Sequence, residues 1–180
     1  MFQRMLVAID PSPISDQAFD SALNLAKATD ADLIILHVLD VFDPDSPRRS
    51  LLPIDGFTGK LDVQIQQEYS QRWTEYVSQR EVMLNQKLAI AQDTGVQAEI
   101  LYAYGQPETV ICNMAQTQRV DVIVLGSRGR KGLNEILLGS VSNYVMHHAP
   151  CSVMVVHPQS APDSSPDVDD QMAKLATAAL

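Results

Sequence analysis

The residues best equipped for chemistry lie between Gly126 and Ser142, in the run GSRGRKGLNEILLGSVS. Gly126, Gly129 and Gly132 recur three apart, and Arg128, Arg130 and Lys131 stand among them. Glycines let backbone N–H groups approach an anion closely and take conformations closed to other residues. Arginine and lysine neutralise phosphate oxygens. Gly139-Ser140 then opens a helical pattern, and a helix N-terminus adds unpaired N–H groups and partial positive charge. The hydroxyls of Ser140 and Ser142 are expected as further donors. These residue types describe a cradle for a compact anion. A plain turn followed by an ordinary helix cap would use the same residues, so the chemistry has to be decided by what surrounds them.

The charge balance narrows the choice. The chain has 180 residues and a net charge of -9, which argues against duplex DNA, RNA or an anionic membrane as the main partner. Residues 126–139 nevertheless carry +2. A local positive patch on an acidic body suits a small anion better than a long polyanion. Two familiar phosphate loops do not fit. A Walker A loop needs Gly-Lys in that order, whereas Lys131 precedes Gly132. A dinucleotide fingerprint needs a different glycine spacing directly between strand and helix.

The elements that must hold this loop are marked by hydrophobic periodicity. MLVAI (5–9), LIILHV (33–38) and VIVL (122–125) are short apolar runs of the kind found in parallel strands covered on both faces. Residues 98–104 form a more alternating strand, and 152–156 a fifth. Between them, helical spacing covers 15–29, 61–93, a segment opened by Pro107, and 140–148. Ser12 or Ser15 is placed to cap the first helix, and Gly95 to stop the second. Residues 40–60, rich in Pro, Asp and Ser, read as a loop.

Strand–helix alternation predicts an α/β fold: a Rossmann-like five-stranded parallel sheet of order 3-2-1-4-5, with helices on both faces. One domain is expected over 1–157, with an insertion at about 42–95. The acidic tail 158–180, rich in Pro, Ser and Asp, is expected to be disordered. In such sheets ligands bind beyond the carboxyl ends of the strands, where the strand order reverses. Asp10, after the first strand, and the Gly126 loop, after the fourth, both sit at that point.

Other groups point to less. Cys112 and Cys151 form no C-x-x-C and sit beside apolar runs, so buried reduced thiols are expected rather than a redox or metal site. The four histidines make no metal-ligand pattern. No apolar run is long enough to span a bilayer and no signal peptide is visible, so the cytoplasm is the expected compartment.

The full spacing, Gly126-x-x-Gly129, nine residues, then Gly139-Ser140, resembles the signature of the ATP-binding universal stress proteins. The resemblance runs from Met5 to Val156 and includes VAID, LIILHV, Gly105 with Pro107, DVIVLGSRG, EILLGSVS and APCSVMVV. It implies phosphate contacts from Gly126, Arg128, Gly129, Gly139 and Ser140, with Val141 beginning the helix. It places Asp10 near the ribose or a phosphate-bound metal, and Ile9 and Val38 at the adenine. From the residues themselves, Ile9 and Val38 could equally be plain core, and Asp10 a turn or helix cap. The expected ligand is ATP, AMP or ADP, with Mg carried on the phosphates. One departure stands out: the family often has Asp-Gly-Ser where this chain has Asp10-Pro11-Ser12-Pro13, and Pro11 removes an N–H.

No nucleophile–base pair emerges, and Asp10 and His37 are the only candidates for a base. The expected function is therefore a nucleotide-binding stress-response regulator that acts through partner interactions. A slow ATP-hydrolysing enzyme and a nucleotide-free dimeric scaffold are the alternatives. The last strand, Ser152 to Val156, should lie at a sheet edge, and the resemblance implies a homodimer through it. A regulatory protein partner of unknown identity is also expected, but no nucleic acid and no membrane.

Overall fold

The computed structural model of the chain describes residues 2–48, 59–127 and 138–158. Arg128, Gly129, Arg130, Lys131 and Gly132 lie outside those residues, as do 159–180 of the acidic tail. Among the described residues, five strands and four helices follow in order: β1 (Arg4–Ala8), α1 (Pro13–Thr29), β2 (Asp32–Leu39), α2 (Gly59–Asp93), β3 (Ala98–Tyr104), α3 (Pro107–Thr117), β4 (Val122–Gly126), α4 (Ser140–His148) and β5 (Ser152–Val156). The sheet order is β3-β2-β1-β4-β5, and every pairing is parallel. The expected order is therefore the observed one.

Side-chain alternation sorts the core into two layers, as a parallel sheet requires. On one face Met5, Val7, Leu33 and Ile35 pack against Phe19, Ala22 and Ala26 of α1 and Leu84 and Ala91 of α2. On the other, Leu6, Ile34, Leu36 and Ile123 pack against Ile111 and Ala115 of α3 and Val145 of α4. Burying each large side chain stabilises the fold by about 1.5–3 kcal/mol relative to exposure. This explains why such short unbroken apolar runs suffice to define the strands.

The termini of the helices follow from local chemistry. Helix α1 begins at Pro13, earlier than its apolar spacing indicates, because Ser12 is the N-cap and its Oγ accepts from the N–H of Ser15. Proline is at home in a first turn, where its missing N–H has no partner to lose. Gly95, at φ +82°, ends the α2 turn in a left-handed conformation that glycine takes freely. At the amino end of the sheet, Asp121 accepts from the N–H groups of Gln3 at 2.7 Å and Arg4 at 2.9 Å. Those two bonds hold its carboxyl below the usual carboxylate range.

Candidate functional site at the carboxyl edge of the sheet

Because β1 lies between β2 and β4, chain crossovers leave it in opposite directions and a cleft opens at its carboxyl end. A cavity of about 540 Å³ occupies this position, within the size range of small-ligand sites. Ile9, Asp10, Val38, Gly126, Gly139, Ser140 and Val141 all line it. The expected partners Arg128 and Gly129 fall outside the described residues.

Period-two alternation explains most of the wall. The register pairs Ala8 with Leu36, and the N–H of Ile9 extends the ladder to the carbonyl of Leu36 at 2.9 Å. Ala8 and Asp10 therefore form one row, and Leu36, Val38 and Asp40 another, on the α3/α4 face. All five line the cavity. Ile9 lines it at the strand end, while its side chain belongs to the opposite core layer with Phe19 and Val7.

The two helix N-termini beside the cavity differ chemically. At α1, Pro11 and Pro13 have no N–H, and the N–H groups of Ser15 and Asp16 are both bonded to Ser12. The Oγ of Ser12 also donates to Asp10 Oδ1, and the N–H of Asp10 donates to Ser15 Oγ at 2.9 Å. Little remains there for an anion. At α4, Gly139 is the N-cap in an extended conformation and offers no side chain to cap the helix. The first N–H groups of a helix have no intrahelical acceptor, so Ser140 and Val141 present theirs at the cavity wall.

Ser142 departs from expectation. Its hydroxyl donates to the carbonyls of Ser127 at 2.8 Å and Gly139 at 3.0 Å, and the residue is buried. One turn into α4 it faces back toward the strand, so the hydroxyl closes the β4–α4 corner and is not a donor for an anion.

The segment after β2 contributes wall residues that the sequence did not single out. Asp43 and Pro44 line the cavity, as does Asp40 just before them. Their loop is held by Asp40 Oδ1 accepting from the N–H of Phe42 at 2.9 Å and by Ser46 Oγ donating to the carbonyls of Val41 and Asp43. Tyr76 Oη donates to Asp43 Oδ2 at 3.0 Å, Arg80 pairs with Asp45 at 3.6 Å, and the Arg80 guanidinium stacks over Tyr76. Helix α2 thereby clasps the loop. Extending the period-two pattern of β2 by one residue would have found Asp40. Asp43 and Pro44 carried no signal beyond ordinary turn chemistry.

His37 also lines the cavity, yet it is 2 % exposed. Its Nδ1 lies 2.8 Å from the carbonyl of Ile9, and its Nε2 is buried with no hydrogen-bond partner among the described residues. Burial is the main reason its pKa is lowered. Arg80 adds to that effect, while the bond to Ile9 and the charges of Asp10 and Asp43 oppose it. Cys112 and Cys151 are free, half-buried thiols, and burial raises the pKa of both.

Among the described residues, no group of three or more His, Cys, Asp or Glu could hold a metal, and no helix is long and apolar enough to cross a membrane.

Comparison with known proteins agrees with this architecture. Residues 1–157 match the universal stress protein family. The chain is 38% identical over 157 residues to the universal stress protein YxiE of Bacillus subtilis, covering 87% of this chain and 99% of the relative. It is 32% identical to Sll1388 of Synechocystis, covering 86% and 97%. Among solved structures it is similar to the universal stress protein UspA from Lactobacillus plantarum, with a TM-score of 0.66 at 25% identity over 86% of this chain and 97% of that one. An Arabidopsis thaliana universal stress protein family protein with AMP bound shares the fold at a TM-score of 0.52 and 22% identity, over 93% and 99%. A universal stress protein in complex with cAMP does so at 0.52 and 23%, over 87% and 97%. On the family match, the coverage of its relatives and the shared sheet order, the chain belongs to the universal stress protein family.

Proposed function

We propose that the cavity binds an adenine nucleotide, with ATP as the physiological ligand, and that occupancy regulates a partner interaction. The observation that carries this is the chemical asymmetry of the cavity. One end is the uncapped N-terminus of α4 with Gly126, Gly139 and Ser140, which offers donors. The other combines apolar strand ends with the carboxylates of Asp10 and Asp40, which offer acceptors. Phosphates belong at the first end and a hydroxylated, amine-bearing nucleoside at the second. Arg128 and Gly129 join the phosphate end by their place in the glycine signature. Two relatives of the same fold, solved with AMP and with cAMP, support the choice of adenine. A Mg ion would enter on the phosphates.

Binding is favoured over hydrolysis by the state of His37. Its Nδ1 is committed to Ile9 and its Nε2 is shut off from solvent, so it cannot activate a water in the cavity. The edge strand β5, with Met154 partly exposed, is the surface we assign to a homodimer. The cytoplasm suits these assignments, since ATP and the free thiols Cys112 and Cys151 both belong to a reducing compartment.

The test is to denature the purified protein and identify any released nucleotide, then follow phosphate release from added ATP over hours. Bound adenine nucleotide with negligible turnover supports a sensor. Sustained turnover establishes an enzyme instead. An empty protein that takes up no adenine nucleotide leaves only the scaffold.

A further inference from the structure

We infer that Asp40 reads the base, selecting a 6-amino purine over a 6-oxo purine. The inference rests on the proposed nucleotide site and adds a specificity residue to it.

Asp40 is one residue beyond the end of β2 and shares the face of Leu36 and Val38, both of which line the cavity. If Val38 covers the apolar face of the base, the side chain two positions on lies at the edge of that base. Asp40 is half-buried, and its carboxylate is fixed before any ligand arrives. Oδ1 accepts from the N–H of Phe42 at 2.9 Å, and the Asp40 carbonyl accepts from the N–H of Asp43 at 3.1 Å. No described residue donates to Oδ2. The Tyr76–Asp43 and Arg80–Asp45 contacts keep the whole turn against α2.

A carboxylate accepts hydrogen bonds and donates none. The adenine 6-amino group can donate to it, whereas a 6-oxo group in the same place meets lone pairs with lone pairs. Asp10 and Asp43 are less suited to this role. Asp10 is engaged with Ser12 beside the ribose position, and both oxygens of Asp43 already accept, from Asp45 N–H and Tyr76 Oη.

The experiment compares ATP and ITP, which differ in the 6-amino against the 6-oxo group and in N1, bare in ATP and N1–H in ITP, by calorimetric titration of the wild-type protein and Asp40→Asn. Asparagine keeps an oxygen for the N–H of Phe42 and adds an amide that can donate to the 6-oxo group. ATP is expected to bind the wild type about 10- to 100-fold tighter than ITP, as for a hydrogen bond to a charged group. In Asp40→Asn that ratio should fall to within about threefold, with ITP binding tighter than it does to the wild type. An unchanged ratio in the variant, or equal affinities in the wild type, overturns the assignment while leaving the nucleotide site standing. Tighter binding of GTP than ATP by the wild type also overturns it, because a carboxylate could then be reading the guanine N1–H and 2-amino group. Loss of discrimination between ATP and 2′-deoxy-ATP, instead of between ATP and ITP, places Asp40 at the ribose and overturns it as well. Failure of both ATP and ITP to bind overturns the nucleotide site and this inference together.

Discussion

His37 Nδ1 lies 2.8 Å from the carbonyl oxygen of Ile9, joining the end of β2 to the end of β1 beneath the cavity. A carbonyl only accepts, so the ring must donate from Nδ1, which makes Nε2 the unprotonated nitrogen of the neutral ring. Protonation would place a cation in a buried position near Arg80, with Asp10 and Asp43 only partly offsetting the cost.

A pH dependence follows with a definite sign. The unfolded chain takes up a proton on this histidine near the ordinary value of 6.5, while the folded chain resists to lower pH. Between those two values the unfolded state binds more protons, so stability falls as pH drops below 6.5. In His37→Asn, whose amide can still donate to Ile9, that part of the slope should vanish. Urea midpoints measured across this range check it, and an unchanged slope means His37 is not held neutral.

Ser142 separates a structural from a binding hydroxyl. Ser142→Ala removes both of its bonds, but the Ser127 carbonyl keeps the N–H of Gly139 and the Gly139 carbonyl keeps that of Asn143. The loss should therefore be modest, about 1 kcal/mol by urea unfolding. ATP affinity should stay within about threefold of wild type, well short of the tenfold that a lost charged hydrogen bond of about 1.5 kcal/mol produces. A larger loss of affinity with unchanged stability would return the hydroxyl to the phosphates.

Ser140→Pro tests the helix N-terminus without breaking the helix. Ser140 is the first residue of α4, where proline is tolerated, and Gly139 at φ -67° and ψ 163° already has the extended conformation that precedes proline. The substitution deletes one N–H and one hydroxyl facing the cavity. ATP affinity should drop about 10- to 100-fold with little change in circular dichroism. Unaltered affinity would move the phosphates elsewhere.

The fold was legible because its strands are buried on both sides. MLVAI, LIILHV and VIVL (5–9, 33–38 and 122–125) stand out against polar surroundings, and their alternation with helical spacing leaves few topologies. The cavity was legible where the glycine spacing marks the chain, at Gly126 and Gly139, and where a strand ends on a charge, at Asp10. Asp43 and Pro44 could not be read, because only tertiary contact with Tyr76 and Arg80 turns their loop toward the cavity. Ser142 differs from expectation for a related reason: composition shows a hydroxyl at a helix start, while its direction depends on how α4 docks on β4. By residue type His37 is a candidate base, and the structure instead gives it a fixed bond to Ile9.

The most direct test of the nucleotide site is calorimetric titration of the purified, nucleotide-stripped protein with ATP. The account predicts saturable binding of one ATP per chain, abolished by Gly129→Val in a protein that still unfolds cooperatively. Absence of heat with ATP, ADP, AMP and cyclic AMP alike, or undiminished binding in Gly129→Val, would contradict it.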